Sequence, residues 1–216
     1  MKRRPPKFIV FLGPDGAGKT SVIQGVMRRL KAEGSEVAYF HGRPPIRGAL
    51  STEAPDPGGL APVPRRPKPA PILSFFISMA HLGKNLLQYS AGYWIRVFPE
   101  LRKGRIVLAD RYTYWYLLDP DGIQYWGPRL FARAFARIVP RADLVLVPWA
   151  PAEAIFARKP ELDVEMIKRQ QSRCEYMMST YSHFYRVDTS IALDETIDAA
   201  MNLIRGVESP AVEMGR

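Results

Sequence analysis

The chain has 216 residues, enough for one α/β domain with a buried core and too few for two ordinary domains with a linker. Hydrophobic residues make up 47% of the sequence and charged residues 24%, which excludes disordered, collagen-like and coiled-coil chains. The 31 basic residues outnumber the 21 acidic ones, and the net charge of +10 favours phosphates, nucleic acid or anionic lipid as partners. The one cysteine, Cys174, can form no disulfide within the chain, which favours a reducing compartment such as the cytoplasm.

Short apolar runs alternate with longer segments of helical periodicity along most of the chain. The predicted strands cover residues 8–12, 36–40, 106–109, 144–147 and 185–188. The predicted helices cover residues 19–31, 72–97, 128–138, 152–157, 164–181 and 194–205. This alternation is typical of an α/β domain in which helices cover both faces of a parallel sheet.

Residues 1–206 are expected to form this single domain, and two segments fall outside the pattern. Residues 42–71, dense in proline and glycine, form an insertion that is either a functional loop or partly disordered. Residues 207–216 are expected to be a flexible tail. The apolar run at 8–12 is too short for a signal peptide, and the charges in the apolar region 71–98 favour a buried helix over a membrane span.

A phosphate-binding motif follows the first predicted strand. Residues 13–20 read GPDGAGKT, which matches the G-x-x-x-x-G-K-[ST] pattern between a buried strand and a helix. Its glycines allow backbone N–H groups to surround phosphate oxygens, Lys19 can neutralise those oxygens, and the Thr20 hydroxyl can bind Mg²⁺. The alternative is a glycine-rich turn without a ligand. We predict that ATP and Mg²⁺ contact eight residues: Gly13, Asp15, Gly16, Ala17, Gly18, Lys19, Thr20 and Ser21.

Asp110 and Arg111 follow the third predicted strand directly. Ligands of parallel α/β sheets bind at the carboxyl ends of the strands, so both side chains are expected to face the phosphate-binding motif. Asp110 would hold Mg²⁺ through water, and Arg111 would bind a second phosphate with two hydrogen bonds. The alternative is a surface Asp–Arg pair that contributes little energy.

Together these motifs resemble the thymidylate kinase family of P-loop kinases over nearly the whole chain. The resemblance rests on Asp15 within the loop, on the triplet Asp-Arg-Tyr at 110–112, and on Arg43 followed by proline after the second strand. It implies a P-loop kinase fold with a five-stranded parallel sheet, ATP with Mg²⁺ as donor, and a nucleoside monophosphate as acceptor. It also implies that Asp15 binds the sugar hydroxyl of the acceptor, that Arg43 and Arg111 bind the acceptor phosphate, and that Lys19 binds the donor phosphates.

Two departures from thymidylate kinases concern the acceptor. The family usually follows the Arg-Pro step with a Gly-Gly turn, whereas this chain continues into the Pro-rich insertion. Residues 113–120 read TYWYLLDP, where the family has a serine and then an Ala-Tyr-Gln stretch that helps to hold the base. In these respects the chain is more similar to the thymidylate-kinase-like proteins often found with bacterial surface-polysaccharide genes. The sequence therefore leaves the acceptor open.

Basic residues near the end of the fourth predicted helix favour a mobile lid at residues 158–163, with Arg158 closing over the transferring phosphoryl group. Arg169 and Arg173 lie on the following helix, where i,i+4 pairing with Glu165 on a solvated face is an equal alternative. Phe76 lies on the long helix that would wall the acceptor pocket. It is a candidate for stacking on a base, and packing in the core is the alternative.

The sequence thus predicts a cytoplasmic kinase that transfers the γ-phosphoryl group of ATP to a small acceptor, with thymidine monophosphate as the leading candidate. The predicted catalytic residues are Lys19, Asp110, Arg111 and Arg158. A kinase for a sugar or another metabolite and a nucleotide-dependent binding protein stay open as alternatives. The sequence contains no recognisable nucleic-acid-binding module, and a homodimer is an open alternative to a monomer. The three histidines have no metal-ligand spacing and are expected to be structural.

Overall fold

Five strands form one sheet in the computed structural model, which describes residues 5–56 and 67–206. All pairings are parallel, and the strands lie in the order β2–β3–β1–β4–β5. In chain order they are β1 (Phe8–Phe11), β2 (Val37–His41), β3 (Ile106–Asp110), β4 (Leu144–Trp149) and β5 (Phe184–Asp188). The α-helices are α1 (Lys19–Ala32), α2 (Pro71–Gly92), α3 (Phe98–Arg102), α4 (Trp115–Leu118), α5 (Arg129–Ile138), α6 (Ala152–Arg158), α7 (Val164–Thr180) and α8 (Leu193–Arg205). This is the expected α/β fold with a five-stranded parallel sheet, and it is consistent with a P-loop kinase.

Both faces of the sheet are buried, and alternate residues of each central strand belong to different cores. Phe8 and Val10 of β1 lie in one core, to which α2, α4, α5 and α7 contribute. Ile9 and Phe11 lie in the other core, to which α1 and α8 contribute. The uninterrupted apolar run that predicts β1 therefore reflects a strand with helices on both sides.

The predicted end of the long helix at residue 97 is wrong. After α2 the chain continues through a π-helical turn, Tyr93–Val97, and enters α3 without a break. Pro99 does not stop the helix because it lies in the first turn of α3, where proline is tolerated. The four-residue helix α4 is not predicted from the sequence, because one helical turn is too short to show a hydrophobic periodicity.

α2 is not the buried helix that its apolar composition predicts. Its buried face carries Ser74, Ser78 and Asn85. Ser78 Oγ donates to the Ser74 carbonyl at 2.7 Å and accepts from Trp126 N at 2.9 Å. Large apolar side chains of α2 face outward instead, namely Ile72, Leu73, Phe75, Phe76 and Leu87. Over residues 5–56 and 67–206, no helix is both long and apolar enough to cross a membrane.

Part of the Pro-rich insertion packs along the edge of the sheet. Tyr39 of β2 and Ser51 exchange backbone hydrogen bonds, at 2.7 Å from Tyr39 N and 3.0 Å from Ser51 N. Leu50 is buried beside them, and Gln24 of α1 donates to the Pro55 carbonyl at 2.7 Å. Because β2 is an edge strand, this bridge covers part of its backbone. The rest of the insertion, residues 57–66, and the predicted tail at 207–216 lie outside the described residues.

Two glycines inside helices allow a matched test of the packing of α1 against α8. A Cβ atom on Gly25 of α1 would lie 2.6 Å from Cγ1 of Ile197 and closer still to its Cδ1, whereas one on Gly83 of α2 would have nothing within 4 Å. Alanine is favoured over glycine in a helix by about 1 kcal/mol, but overpacking costs about 1–3 kcal/mol.

We expect Gly83→Ala to raise the free energy of unfolding by up to about 1 kcal/mol and Gly25→Ala to lower it. Urea denaturation of both variants measures the difference. Equal effects of the two substitutions would contradict the close approach of α1 and α8.

Candidate active site

The phosphate-binding motif forms the turn between β1 and α1. Gly16 and Gly18 both have φ of +88°, in the left-handed region that residues with a side chain rarely adopt. Gly18 also caps α1, and within the described chain no side chain bonds to the start of that helix. Such a helix start offers backbone donors and partial positive charge to an anion. The loop therefore has the conformation and the polarity of a phosphate site.

Lys19 is the first residue of α1, and it is only 6% exposed. Its Nζ donates to the carbonyls of Gly13 and Pro14, each at 2.8 Å, and lies 3.2 Å from Asp15 Oδ1. These bonds hold the ammonium group against the loop. It is therefore positioned to neutralise the oxygens of a phosphate bound there.

Asp15 joins the loop to the end of β3. Its Oδ1 accepts a hydrogen bond from Nη2 of Arg111 at 2.7 Å as well as pairing with Lys19. Burial acts to raise the pKa of Asp15, but the charges of Lys19 and Arg111 together outweigh it and lower the pKa from 3.8 to about 2. The carboxylate is therefore ionised at neutral pH and orients both cations.

Asp110 ends β3 beside the loop, because β3 lies between β1 and β2. The register aligns it with Phe11 of β1 and with His41 of β2. Its Oδ2 lies 3.1 Å from Nδ1 of His41, whereas its Oδ1 is buried and has no hydrogen-bond partner among the residues described. A buried carboxylate oxygen without a partner is costly, and a metal-bound water would satisfy it. Asp110 and Thr20, the second residue of α1, are thus the side chains that could hold Mg²⁺.

The backbone after Asp110 turns sharply and is strained. Arg111 and Tyr112 have φ of +80° and +55°, and such values cost about 1–3 kcal/mol for each residue with a side chain. The Tyr112 side chain is fully buried, and its hydroxyl donates to the Pro140 carbonyl at 2.9 Å. Arg111 N donates to the Phe11 carbonyl at 2.8 Å. These contacts stabilise a turn that brings the Arg111 guanidinium group to the loop.

A cavity of about 480 Å³, which we call the first cavity, lies beside this turn. Arg43 and Arg111 both line it, and the guanidinium carbon of Arg111 lies 4.2 Å from the ring centroid of Trp115. Arg43 donates to Oδ1 of Asn85 at 2.9 Å and to Oε1 of Gln88 at 3.3 Å. Two arginines at one cavity can bind an anionic group such as a phosphate. The other side chains of the lining include His41, Gln88, Tyr89 and Ile123.

The predicted lid begins at the end of α6. Arg158 is exposed, and its Nη2 donates to the Thr189 carbonyl at 2.8 Å. Lys159 lies against the loop, since its Cβ is 3.2 Å from the position of a Cβ atom on Gly16. Its Nζ pairs with Glu161 at 3.1 Å. Lys159 is therefore a candidate for contact with a bound phosphate alongside Arg158.

The structure brings most of the predicted site residues together and leaves Phe76 apart from them. At the loop, its glycines lie close to Lys19, Asp110 and Arg111. The first cavity is lined by Arg43 and Arg111. Ser21 is exposed on α1. Phe76 is 64% exposed, packs on Phe75 and is absent from the lining of the first cavity. A role for Phe76 in binding the acceptor stays a prediction.

Three residues of the site are missed by sequence reasoning. His41 contacts Asp110, Asn85 holds Arg43, and the ring of Trp115 covers Arg111. His41 could be recognised from the sequence only if the pairing of β2 with β3 were known. Asn85 and Trp115 match no motif, and their roles depend on how α2 and α4 pack on the sheet.

Comparison with known proteins finds similarity to thymidylate kinases. The chain is 30% identical to the thymidylate kinase of Chlamydia caviae over 105 residues, which are 49% of this chain and 45% of that protein. It is 31% identical to the thymidylate kinase of Oceanobacillus iheyensis over 114 residues, which are 49% of this chain and 42% of that protein. The matches therefore span less than half the length of either relative. No protein-family profile matches the chain. The two matches support a thymidylate-kinase-like relationship.

The pairing of Asp15 with two cations can be tested through pH. A carboxylate whose pKa is lowered on folding stabilises the fold above its unfolded pKa, and this stabilisation is lost as the pH falls through the folded pKa. For Asp15 the window runs from 3.8 down to about 2. Asp15→Asn should lower the free energy of unfolding by roughly 2 kcal/mol at neutral pH and by progressively less below about pH 4.

Urea denaturation over a series of pH values measures this difference. Asp56→Asn, at an exposed carboxylate in a loop, is the control and should show no such trend. A loss of stability in Asp15→Asn that does not vary with pH would contradict the ion pairing.

Proposed function

We propose that this chain is a phosphotransferase that moves the γ-phosphoryl group of ATP to a nucleoside monophosphate, with thymidine monophosphate as the leading acceptor. One observation carries the proposal. Lys19 at the phosphate loop, which is the motif at residues 13–20, and Arg111 at the first cavity both pair with the carboxylate of Asp15. A donor phosphate and an acceptor phosphate would therefore bind next to each other. The similarity to two thymidylate kinases supports the acceptor class.

The described residues fit a magnesium-bound nucleoside triphosphate at the loop. The positive φ at Gly16 and Gly18 and the unpartnered oxygen of Asp110 are the features that such a ligand would use. Lys19 would neutralise the phosphate oxygens, and Thr20 and Asp110 would hold the metal. When bound, the nucleotide and its metal supply the transferable phosphoryl group and a positive charge beside it.

Arg43 and Arg111 would bind the phosphate of the acceptor in the first cavity. Their charges would reduce the repulsion between two anionic substrates and hold the acceptor oxygen in line with the transferring group. Asn85 and Gln88 already fix the direction of the Arg43 guanidinium group. By the resemblance to thymidylate kinases, Asp15 would also accept a hydrogen bond from the sugar hydroxyl of the acceptor.

The lid would complete the site around the transferring phosphoryl group. Arg158 and Lys159 follow each other at the end of α6, and Lys159 lies beside Gly16 of the loop. Closure of these side chains would stabilise negative charge and exclude water. Catalysis would then depend on positioning and electrostatics, without a covalent intermediate.

A kinase for a sugar or another metabolite is the second candidate function. The ring of Trp115 lies beside Arg111 at the first cavity, and the segment around it lacks the Ala-Tyr-Gln stretch that helps thymidylate kinases to hold the base. A nucleotide-dependent binding protein remains a third candidate. The cytoplasmic location, the homodimer and the link to surface polysaccharides stay predictions from the sequence.

Release of ADP with a panel of nucleoside monophosphates, nucleosides and sugars tests the proposal. We expect thymidine monophosphate to give the highest kcat/KM. Lys19→Ala should fold normally and turn over about 10²- to 10³-fold more slowly, because one preorganised charge at the phosphoryl oxygens is lost. Arg28→Ala, at an exposed position of the same helix, is the matched control and should keep full activity.

Each outcome of the panel discriminates between the candidates. Faster turnover of a sugar would favour the second candidate, and binding of ATP without release of ADP for any acceptor would favour the third. Near-normal turnover in a well-folded Lys19→Ala variant would contradict the role of the loop.

Asp110→Asn tests the metal site separately. The amide keeps the shape of the side chain, so the melting temperature should change by only a few degrees, but the Mg²⁺ concentration needed for half-maximal activity should rise. Asp188→Asn is the matched control, because Asp188 also ends a strand but bonds to Ser190. A large fall in the melting temperature of Asp110→Asn, with no change in the Mg²⁺ concentration that it needs, would instead show that Asp110 stabilises the fold and does not hold the metal.

A further inference from the structure

A second cavity, of about 530 Å³, lies between α5 and α7. Helix α4 separates it from the first cavity: Trp115 lines the first, whereas Tyr116 and Leu117 line the second. The two linings have no residue in common within the described part of the chain. A cavity of this volume suits a small organic ligand.

Positive charge dominates the lining of the second cavity. The lining contains four basic residues, Arg129, Arg133, Arg173 and Lys68, and one acidic residue, Asp121. Burial lowers the pKa of Arg173, and the nearby charges of Arg129 and Arg169 lower it further, whereas the charges of Asp121 and Asp119 act in the opposite direction without reversing the shift. These like charges repel one another in the folded protein, and a bound anion would relieve the repulsion.

Aromatic rings make up much of the remaining lining. They are Tyr116, Tyr125, Trp126, Tyr176 and Tyr181. The guanidinium carbon of Arg133 lies 5.3 Å from the ring centroid of Tyr176. The Tyr125 hydroxyl already donates to the Pro128 carbonyl at 2.8 Å. Rings beside guanidinium groups suit a ligand that joins an anionic group to a planar ring.

Hydrogen bonds hold α4 in place between the two cavities. Nη1 of Arg173 donates to the carbonyl of Leu118, the last residue of α4, at 2.8 Å. Nδ2 of Asn85 donates to the Tyr116 hydroxyl, and Asn85 also accepts from Arg43 of the first cavity. The wall between the cavities is therefore fixed from both sides.

We propose that the second cavity binds a second small molecule, an organic phosphate in which the anionic group is attached to an aromatic ring. The phosphate lies against Arg129, Arg133 and Arg173, and the ring lies against Tyr176 and Trp126. This site is separate from the candidate active site, and it does not depend on the proposed kinase activity.

Phenyl phosphate is a suitable probe because it contains both chemical parts and lacks a sugar. In titration calorimetry, the full chain carrying Arg43→Gln, which weakens the first cavity for anions, should still bind phenyl phosphate. Adding Arg129→Gln and Arg133→Gln should weaken this binding about tenfold or more, because two charge-assisted contacts are lost. Arg137→Gln, one turn further along α5 and outside the lining, is the matched control and should leave binding unchanged.

Two further measurements separate the parts of the ligand. Inorganic phosphate and benzyl alcohol should each bind more weakly than phenyl phosphate. Tyr176→Ala, at a ring that is 52% exposed, should weaken the binding of phenyl phosphate more than that of inorganic phosphate.

Three results would overturn the proposal. Phenyl phosphate could bind equally well after Arg129→Gln and Arg133→Gln, which would show that these arginines do not bind its phosphate. Arg43→Gln alone could abolish all binding, which would assign the anion to the first cavity. Inorganic phosphate could bind as tightly as phenyl phosphate, which would show that the aromatic ring of the ligand contributes nothing to binding. None of these results involves ADP release, so they are distinct from a failure of the proposed kinase activity.

Discussion

The alignment of three parallel strand ends is the constraint on which the candidate active site depends. Phe11 of β1 pairs with Asp110 of β3, and Asp110 pairs with His41 of β2. The segments that follow these three residues therefore leave the sheet at the same edge, and they contain the phosphate loop, Arg111 and Arg43. A slip of one residue in the pairing of β3 would turn Asp110 to the opposite face of the sheet. Because both faces are buried, such a slip would also exchange residues between the two cores, so packing maintains the register that the site requires.

The turn after β3 shows how the fold supports a strained conformation at this edge. Arg111 and Tyr112 both have positive φ, yet neither is a glycine. The Tyr112 ring packs edge-on against Phe8 with centroids 5.1 Å apart, and Arg111 is held by Asp15. The strained turn leaves the Arg111 guanidinium group in contact with Asp15 of the phosphate loop. Strain of this kind is concentrated at functional sites, where surrounding contacts over-determine the backbone.

The sequence predicts the five strands and the glycine-rich turn between β1 and α1 well, because both depend on local patterns. Buried strands appear as apolar runs, and the loop has a fixed spacing of glycines before Lys19. The position of Asp110 at a strand end can also be read from the sequence. The contact of Asp110 with His41 cannot, since 69 residues separate them and only the sheet order brings them together. The burial of α2 cannot be predicted from the sequence either. Its apolar side chains face outward and Ser78 is buried, whereas apolar residues are usually the buried ones.

The positive charge of the chain has a more specific arrangement than its composition indicates. A net charge of +10 is compatible with a flat basic surface for nucleic acid. Around α4, however, arginines line two concave spaces, with Arg43 and Arg111 on one side and Arg129, Arg133 and Arg173 on the other. Each group includes a guanidinium beside an aromatic ring, Trp115 for Arg111 and Tyr176 for Arg133. Charges held in cavities next to rings match small anions that carry a planar group better than they match a polymer backbone, since a phosphate backbone requires an open path along the surface. Around this helix, the arrangement of the arginines is thus consistent with the small phosphorylated ligands that we propose for both cavities.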